Sequence, residues 1–316
     1  MIAWIFPGQG TQRVGMGRSL CDASAAARAV FEAADEALGE PFSRLIFEGP
    51  AEQLTYTANA QPAILTCSLA ALAALREANA DLPLPEVAAG HSLGEYSALV
   101  AAGALEFRQA VQLVRLRGEA MQRAVAPGAG AMAAVMGAEA AAVEQLCADV
   151  RAESGGVRVL SPANFNAPGQ IVIAGHADAV ERAGVLAKER RLKTIPLKVS
   201  APFHCLLMAP AAEALNRALG EVALGPLQFP VVSNVEARPN ADPQRVRELL
   251  VKQVAGAVRW QETLEWMAQR GVTSAWEIGP GQVLAGLAKR TVPTLAVKPA
   301  FEPQEIAALV ASVTSG

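Results

Sequence analysis

The stretch Gly90-His91-Ser92-Leu93-Gly94 constrains this chain more than any other. It fits G-x-S-x-G, the pattern in which a strand turns sharply into a helix and lifts a serine to the tip of the turn. The flanks agree: Glu86-Val87-Ala88-Ala89 reads as a short buried strand and Glu95 through Ala102 as a helix. The two glycines let the backbone pass where a Cβ would clash. Ser92 would then lie beside backbone N–H groups and a helix N-terminus. Such a place favours an oxyanion, and so acyl transfer through a covalent ester. The same five residues also suit an ordinary glycine-rich turn with a capping serine, so the rest of the chain has to decide.

With 316 residues there is room for one large domain or two unequal ones. A hydrophobic share of 52% against 18% charged allows a substantial core. The net charge of −3 argues against nucleic-acid binding. Cys21, Cys67, Cys147 and Cys205 lack C-x-x-C spacing and read as reduced, mostly buried thiols. With only His91, His176 and His204 in the chain, no histidine-rich metal site is expected. The run Met1 to Phe6 lacks a basic n-region, and no apolar run reads as long enough to span a bilayer. A soluble, cytoplasmic protein without membrane contact is the expectation.

In chain order, Ile2 to Phe6 reads as a buried strand feeding the tight loop Pro7-Gly8-Gln9-Gly10. Helical material follows to about Leu38. A long helix is expected from Gln61-Pro62, with the proline in its first turn, to about Asn79. The elbow and a helix from Phe107 to Val125 come next. Strands followed by helices suggest a parallel sheet covered on both faces. After Ala126-Pro127-Gly128-Ala129-Gly130 the texture changes. Strand (131–136), helix (138–150) and strand (157–161) lead through a turn at 166–169 to strand (170–174), helix (177–190) and strand (193–199). That β-α-β-β-α-β order predicts a ferredoxin-like insert. The expected division is therefore 1–126 with 199–316 as an α/β large domain, and 127–198 as the small one. Beyond the insert, helices are expected near 204–219, 243–254 and 260–270. The strand 274–278 and a short helix to Arg290 follow.

Ser92 needs a base. His204, in Ser200-Ala201-Pro202-Phe203-His204-Cys205 just after the insert, is the better of the two distant histidines. His176, at the start of a helix, reads more simply as a surface cap. No Asp or Glu stands out as a third member, so a backbone carbonyl is a possible orienting group. Arg117 has Leu113, Val114, Ala120 and Met121 as its helical neighbours and lies on an apolar face, whereas Arg115 and Arg123 have more polar surroundings. A buried guanidinium must be paired, either with an internal carboxylate or with a carboxylate on the substrate.

Seven blocks now align in one order. They are Phe6-Pro7-Gly8-Gln9-Gly10; Gly90 through Tyr96; Arg117-Gly118 with Met121-Gln122; Asn164 through Gln170; the His204 segment; Gln253 before Val258-Arg259-Trp260; and Glu277-Ile278-Gly279-Pro280-Gly281. Together the chain resembles the malonyl-CoA:acyl-carrier-protein transacylases, and most the stand-alone bacterial kind that feeds fatty-acid synthesis.

The resemblance implies a hydrolase-like α/β large domain, an inserted ferredoxin-like small domain and a site in the groove between them. It implies Ser92 as nucleophile, His204 as base and the N–H groups of Gln9 and Leu93 as oxyanion hole. Arg117 would hold the malonyl carboxylate, the carbonyl of Gln253 would orient His204, and Asn164 would contact the pantetheine arm. Malonyl-CoA would acylate Ser92, CoA would leave, and the thiol of the carrier's phosphopantetheine would take the malonyl group. No permanently bound cofactor is implied. The implied partner is an acyl carrier protein, and the enzyme is expected to be a monomer. Phe203, beside the base, fills a position that varies in the family and bears on acyl selectivity.

For an acidic carrier, Lys188, Arg190, Arg191 and Lys193 form one candidate basic patch and Lys289-Arg290 another. Cations at a helix C-terminus would read the same way. The rivals are an acyltransferase of a polyketide synthase or malonate decarboxylase system, an acyl hydrolase of the same fold, and a non-catalytic carrier-binding subunit.

Overall fold

The computed structural model describes residues 1–199 and 201–314. Ser200, at the head of the base segment, lies outside the described residues. Two sheets organise the chain. The larger is built on β1 (Ile2–Phe6) and β2 (Val87–Gly90), which run parallel with Phe6 opposite Gly90. The smaller comprises β3 (Gly130–Met136), β4 (Leu160–Ala167), β5 (Gln170–His176) and β6 (Lys193–Pro196). Short β7 (Val231–Val232) and β8 (Pro239–Asn240), then β9 (Ser274–Ile278) and β10 (Ala296–Ala300), complete the larger one. Its order is β10-β9-β1-β2-β7-β8, parallel throughout except for the β7–β8 edge pair.

The continuous apolar run of β1 is explained by burial on both faces. Trp4 and Phe6 join one core cluster, while Ala3 and Ile5 join another with Trp260 and Leu264. Parallel strands covered on both sides read this way in sequence. Because β1, β2 and β7 run in the same direction, their carboxyl ends emerge side by side. They deliver the Gln9 loop, Ser92 and Asn234 to one edge of the sheet, the usual place for a site in an open α/β sheet.

The smaller sheet is antiparallel with order β4-β5-β3-β6, and the helices Ala140–Glu153 and Ala177–Glu189 pack on it. This is the ferredoxin-like arrangement expected from the β-α-β-β-α-β pattern. The fold is thus a hydrolase-like α/β unit with a parallel sheet and a ferredoxin-like unit beside it.

Several sequence expectations are corrected. The strand expected at 157–161 runs from Leu160 to Ala167 and absorbs Asn164 and Asn166, so the turn between strands shrinks to Pro168-Gly169. Asn164 and Phe165 are drawn into the strand because they also bond Val258 of the large unit, through a bridge and the Phe165 N–H. The last small strand stops at Pro196 rather than 199. The helix expected from His204 starts at Ala209 after a 3-10 turn, leaving His204 in a loop. The pair β10 and helix Pro303–Thr314, absent from the sequence reading, close one end of the large sheet.

The long helix is Thr57–Ala78, four residues earlier than expected, so Pro62 lies inside it rather than in its first turn. Contrary to the sequence reading, this helix is long and apolar enough to cross a membrane. Its residues from Ala60 to Leu72 are nonetheless buried against the helices Ala25–Leu38 and Phe107–Arg123, in the position of a core helix.

Candidate active site

Ser92 stands between β2 and the helix Gly94–Ala101 with φ 51°, the left-handed conformation of a sharp turn. Glycine is required on both sides. A Cβ on Gly90 would come within 1.9 Å of the Gly94 carbonyl, and one on Gly94 within 2.2 Å of the Phe6 carbonyl oxygen. The strained peptide is gripped at both ends. Asn234 Oδ1 accepts from the Ser92 N–H at 2.7 Å, and Gln253 Nε2 donates to the Ser92 carbonyl at 2.9 Å.

His204, also left-handed with φ 60°, brings Nε2 to 2.7 Å from Ser92 Oγ. Its Nδ1 faces two carbonyls, Gln253 at 2.9 Å and Gly256 at 3.2 Å. Two acceptors at Nδ1 require the proton there, which leaves the Nε2 lone pair to receive the Ser92 hydroxyl hydrogen. Burial first, and the neighbouring Arg117 cation second, push the His204 pKa down to about 3. The imidazole is therefore neutral, the form a base needs.

Arg117 is buried on the helix Phe107–Arg123, as its apolar neighbours predict. Among the described residues it forms no ion pair. Its Nη1 donates to Gln61 Oε1 at 2.7 Å; its Nη2 donates to Gln253 Oε1 at 2.9 Å and to Ser92 Oγ at 3.1 Å. The internal-carboxylate alternative thus finds no direct partner, and neutral groups hold the guanidinium beside the serine. Arg115, two residues earlier, reaches Asn59 and Glu40 at the surface, and Arg123 pairs with Glu119.

Gln9, Ser92, Arg117, Asn164, Phe203 and His204 all line one cavity, together with Met132 of β3 and Val172 of β5. The N–H groups of Gln9 and Leu93 donate to no other protein group among the described residues. Asn164 is buried in β4, and its neighbour Asn166 accepts from His91 Nε2 at 2.8 Å. His176 occupies the N-cap position of its helix as expected, but its side chain makes no capping hydrogen bond: its Nδ1 accepts from the Val159 N–H at 2.9 Å. In the first basic patch Arg190 is already paired with Asp149. No group of three or more His, Cys, Asp or Glu suited to a metal occurs among the described residues.

Sequence reasoning missed the side chains behind the serine. The resemblance implies a role only for the Gln253 carbonyl, yet the side-chain amide touches Ser92, Glu95 and Arg117. Asn234 also donates through Nδ2 to the Gly90 carbonyl at 2.7 Å. The available signal was polarity out of place: Gln61 in an apolar helix, Glu95 in another, and Ser233-Asn234 directly after an apolar pair.

A serine at the tip of a strand-to-helix turn, a neutral imidazole within hydrogen-bond reach and a buried guanidinium beside it form an arrangement suited to acyl-group transfer. The chain belongs to the acyl transferase domain family, whose model matches residues 3–312. It is 48% identical over 306 residues to the malonyl CoA-acyl carrier protein transacylase of Bacillus subtilis, covering 96% of this chain and 95% of that one. An acyl carrier protein S-malonyltransferase from Vibrio cholerae superposes with a TM-score of 0.94 at 45% identity, over 98% and 99% of the two chains. A malonyl-transacylase solved in complex with a type II polyketide acyl-carrier protein matches with the same TM-score at 42% identity, again over 98% and 99%.

Proposed function

We propose that the chain transfers the malonyl group from malonyl-CoA to the phosphopantetheine thiol of an acyl carrier protein, through a malonyl ester on Ser92. The observation that carries the reading is the position of Ser92 Oγ, 2.7 Å from the base and 3.1 Å from the guanidinium. In a malonyl group one methylene separates the carbonyl from the carboxylate. A carbonyl at Ser92 therefore leaves its carboxylate within reach of Arg117, whose planar fork suits it.

In the proposed sequence His204 takes the Ser92 proton as Oγ attacks the thioester carbonyl. The N–H groups of Gln9 and Leu93 receive the developing oxyanion, and the Gln253 carbonyl keeps His204 in the right tautomer. The C–S bond breaks, the imidazolium returns the proton to the departing thiolate, and CoA leaves. The carrier's thiol then repeats the steps in reverse order of groups. Asn164 is assigned to the pantetheine arm and Phe203 to the acyl pocket. The acyl group arrives activated as a thioester, so the chemistry calls for no resident cofactor. Residues 127–198 are proposed as a separate small domain, because all four strands of the smaller sheet fall between 130 and 196. The acceptor is proposed to be the carrier of fatty-acid synthesis, the site of work the cytoplasm and the working form a monomer.

The test is a mass spectrum of the protein after incubation with malonyl-CoA. A malonyl adduct on Ser92 is expected, absent in Ser92→Ala and discharged by a phosphopantetheinylated carrier. An adduct on Ser97 or on a cysteine would overturn the assignment, and one discharged by water as fast as by carrier would favour a hydrolase.

A further inference from the structure

The proposed mechanism gives no task to Glu95, a buried ionisable group next to the site. Glu95 follows the elbow on the helix Gly94–Ala101 and is 3% exposed. Its Oε2 accepts from the Asn234 N–H at 3.0 Å and from Gln253 Nε2 at 2.8 Å. With Nε2 committed to two acceptors, Glu95 and the Ser92 carbonyl, the Gln253 oxygen has to face Arg117. A carboxylate and a guanidinium thus sit at opposite ends of one amide. Among the described residues no other charged side chain bonds the Gln253 amide.

We propose that Glu95 is the internal counter-anion of Arg117, acting through the Gln253 amide, and that it limits how tightly the guanidinium holds an acyl carboxylate. The proposal rests on Arg117 as the holder of that carboxylate. Two anions would then share one cation inside a region of low dielectric, where charges act strongly on one another. Each weakens the other's hold on Arg117, and the coupling is reciprocal. A ping-pong enzyme gains from such a limit. Grip that is equal in the ground and transition states does nothing for turnover, and the malonyl group has to leave again.

The other charged groups around Glu95 are few. Arg117 faces it from the helix Phe107–Arg123, Glu236 from the loop that carries Asn234, and Tyr96 follows it on its own helix. Behind it, Leu99, Val231, Ser233, Asn240, Val246 and Leu249 are all uncharged. Burial keeps Tyr96 protonated and His204 neutral. Burial also pushes the Glu95 carboxyl up to about 7, against the opposing pull of the Asn234 N–H, the Gln253 amide and Arg117. The sign follows. Below that pH Glu95 is protonated, Arg117 is uncompensated and an acyl carboxylate is held tightly. Above it Glu95 is ionised and the hold weakens.

The experiment is calorimetric titration of the full-length Ser92→Ala protein, which cannot turn over, with malonyl-CoA and with acetyl-CoA. Acetyl-CoA carries the same nucleotide phosphates and lacks the carboxylate, so the ratio of the two affinities isolates Arg117. That ratio should fall by about tenfold between about pH 6 and about pH 8.5, within the usual range of coupling between two sites. Adding Glu95→Gln should hold it at the acid value throughout, since the amide oxygen can still accept both hydrogen bonds without the charge. A ratio that stays flat with Glu95 in place overturns the proposal, whether or not the Gln variant folds. A ratio near unity that Arg117→Ala does not change would overturn the role of Arg117 instead.

Discussion

Ser92 and His204 share a left-handed backbone conformation and a hydrogen bond, yet they are held by opposite means. The serine is fixed through its peptide. A strand and a helix meet at it, two glycines permit the turn, and Asn234 and Gln253 grip its N–H and carbonyl. The histidine lies in a loop and is fixed through its ring, by two carbonyls at the end of the helix Pro243–Ala255. Residues in sparsely populated backbone regions cost on the order of 1–3 kcal/mol each and persist only where surroundings over-determine them. At the elbow only the turn itself is local, permitted by Gly90 and Gly94, while the grip on its peptide comes from 142 and 161 residues away. The His204 ring rests on the carbonyl of that same Gln253, 49 residues further along the chain.

The largest expected effect breaks the base side of this comparison and leaves the elbow whole. His204→Ala should slow formation of the Ser92 adduct by about 10²–10⁴, the usual contribution of a positioned base. Quenched-flow mass spectrometry would measure it, and near-normal acylation in a folded variant would move the base elsewhere. The intact enzyme adds a pH signature. A base works only when unprotonated, and burial and Arg117 place the His204 pKa at about 3. Acylation by acetyl-CoA should therefore stay level as the pH falls from about 8 to about 5. It should not halve near 6.5, the ordinary histidine value. A midpoint there would mean that the ring is solvated when it acts.

The same contrast explains what the sequence could disclose. The elbow was legible because strand, turn and helix are contiguous and each residue's reason is local: an apolar run, a glycine at each close approach, a serine at the tip. Arg117 was legible because helical spacing alone puts it on an apolar face. The ferredoxin-like unit was legible as an order of elements, though β4 ran past its expected end because Val258, far along the chain, extends its pairing. Asn234 and the Gln253 side chain were hidden for the same reason. Their partners lie 142 and 161 residues away, and no local pattern marks an amide that will turn toward them. His204 came between: its type and its place after the insert were informative, while its loop conformation was not.

A second comparison, between two arginines on one helix, carries the next largest effect. Arg117 is buried among neutral partners, while Arg115 binds Glu40 and lies 5.0 Å from the Phe42 ring centroid near the surface. Removing one partner of a buried charged pair costs about 3–5 kcal/mol, or roughly a hundred- to a few-thousandfold. Arg117→Ala should lose malonyl transfer to that extent and slow acetyl transfer much less. Arg117→Lys should restore only part, since a point charge cannot reproduce the fork. Arg115→Ala should leave the malonyl-to-acetyl ratio unchanged. Competition assays with the two CoA esters measure all three. Equal losses of both activities in Arg117→Ala would make Arg117 a structural group, and the malonyl assignment would lose its main physical support.

The smallest expected effect concerns Phe203, which stands between the two sides. It precedes the base in the loop, is 9% exposed, and shares the cavity wall with Ser92 and Arg117. On the proposed reading, a ring in that position crowds the α-carbon of an acyl group esterified to Ser92. Malonyl has only hydrogens there, whereas methylmalonyl adds one methyl. Phe203→Ser opens that space without touching Arg117 or the base. A methyl in a pocket is worth only about 1–3 kcal/mol, so the gain in methylmalonyl over malonyl transfer should lie between about tenfold and about a hundredfold, below the loss expected of Arg117→Ala. Because Phe203 borders a cavity, its truncation leaves no sealed void, and the thermal midpoint should drop less than for a Phe in the closed core. The two measurements together decide the matter. A ratio that stays at the parent value while the midpoint falls steeply would make Phe203 a support of the His204 loop and not a wall of the acyl pocket.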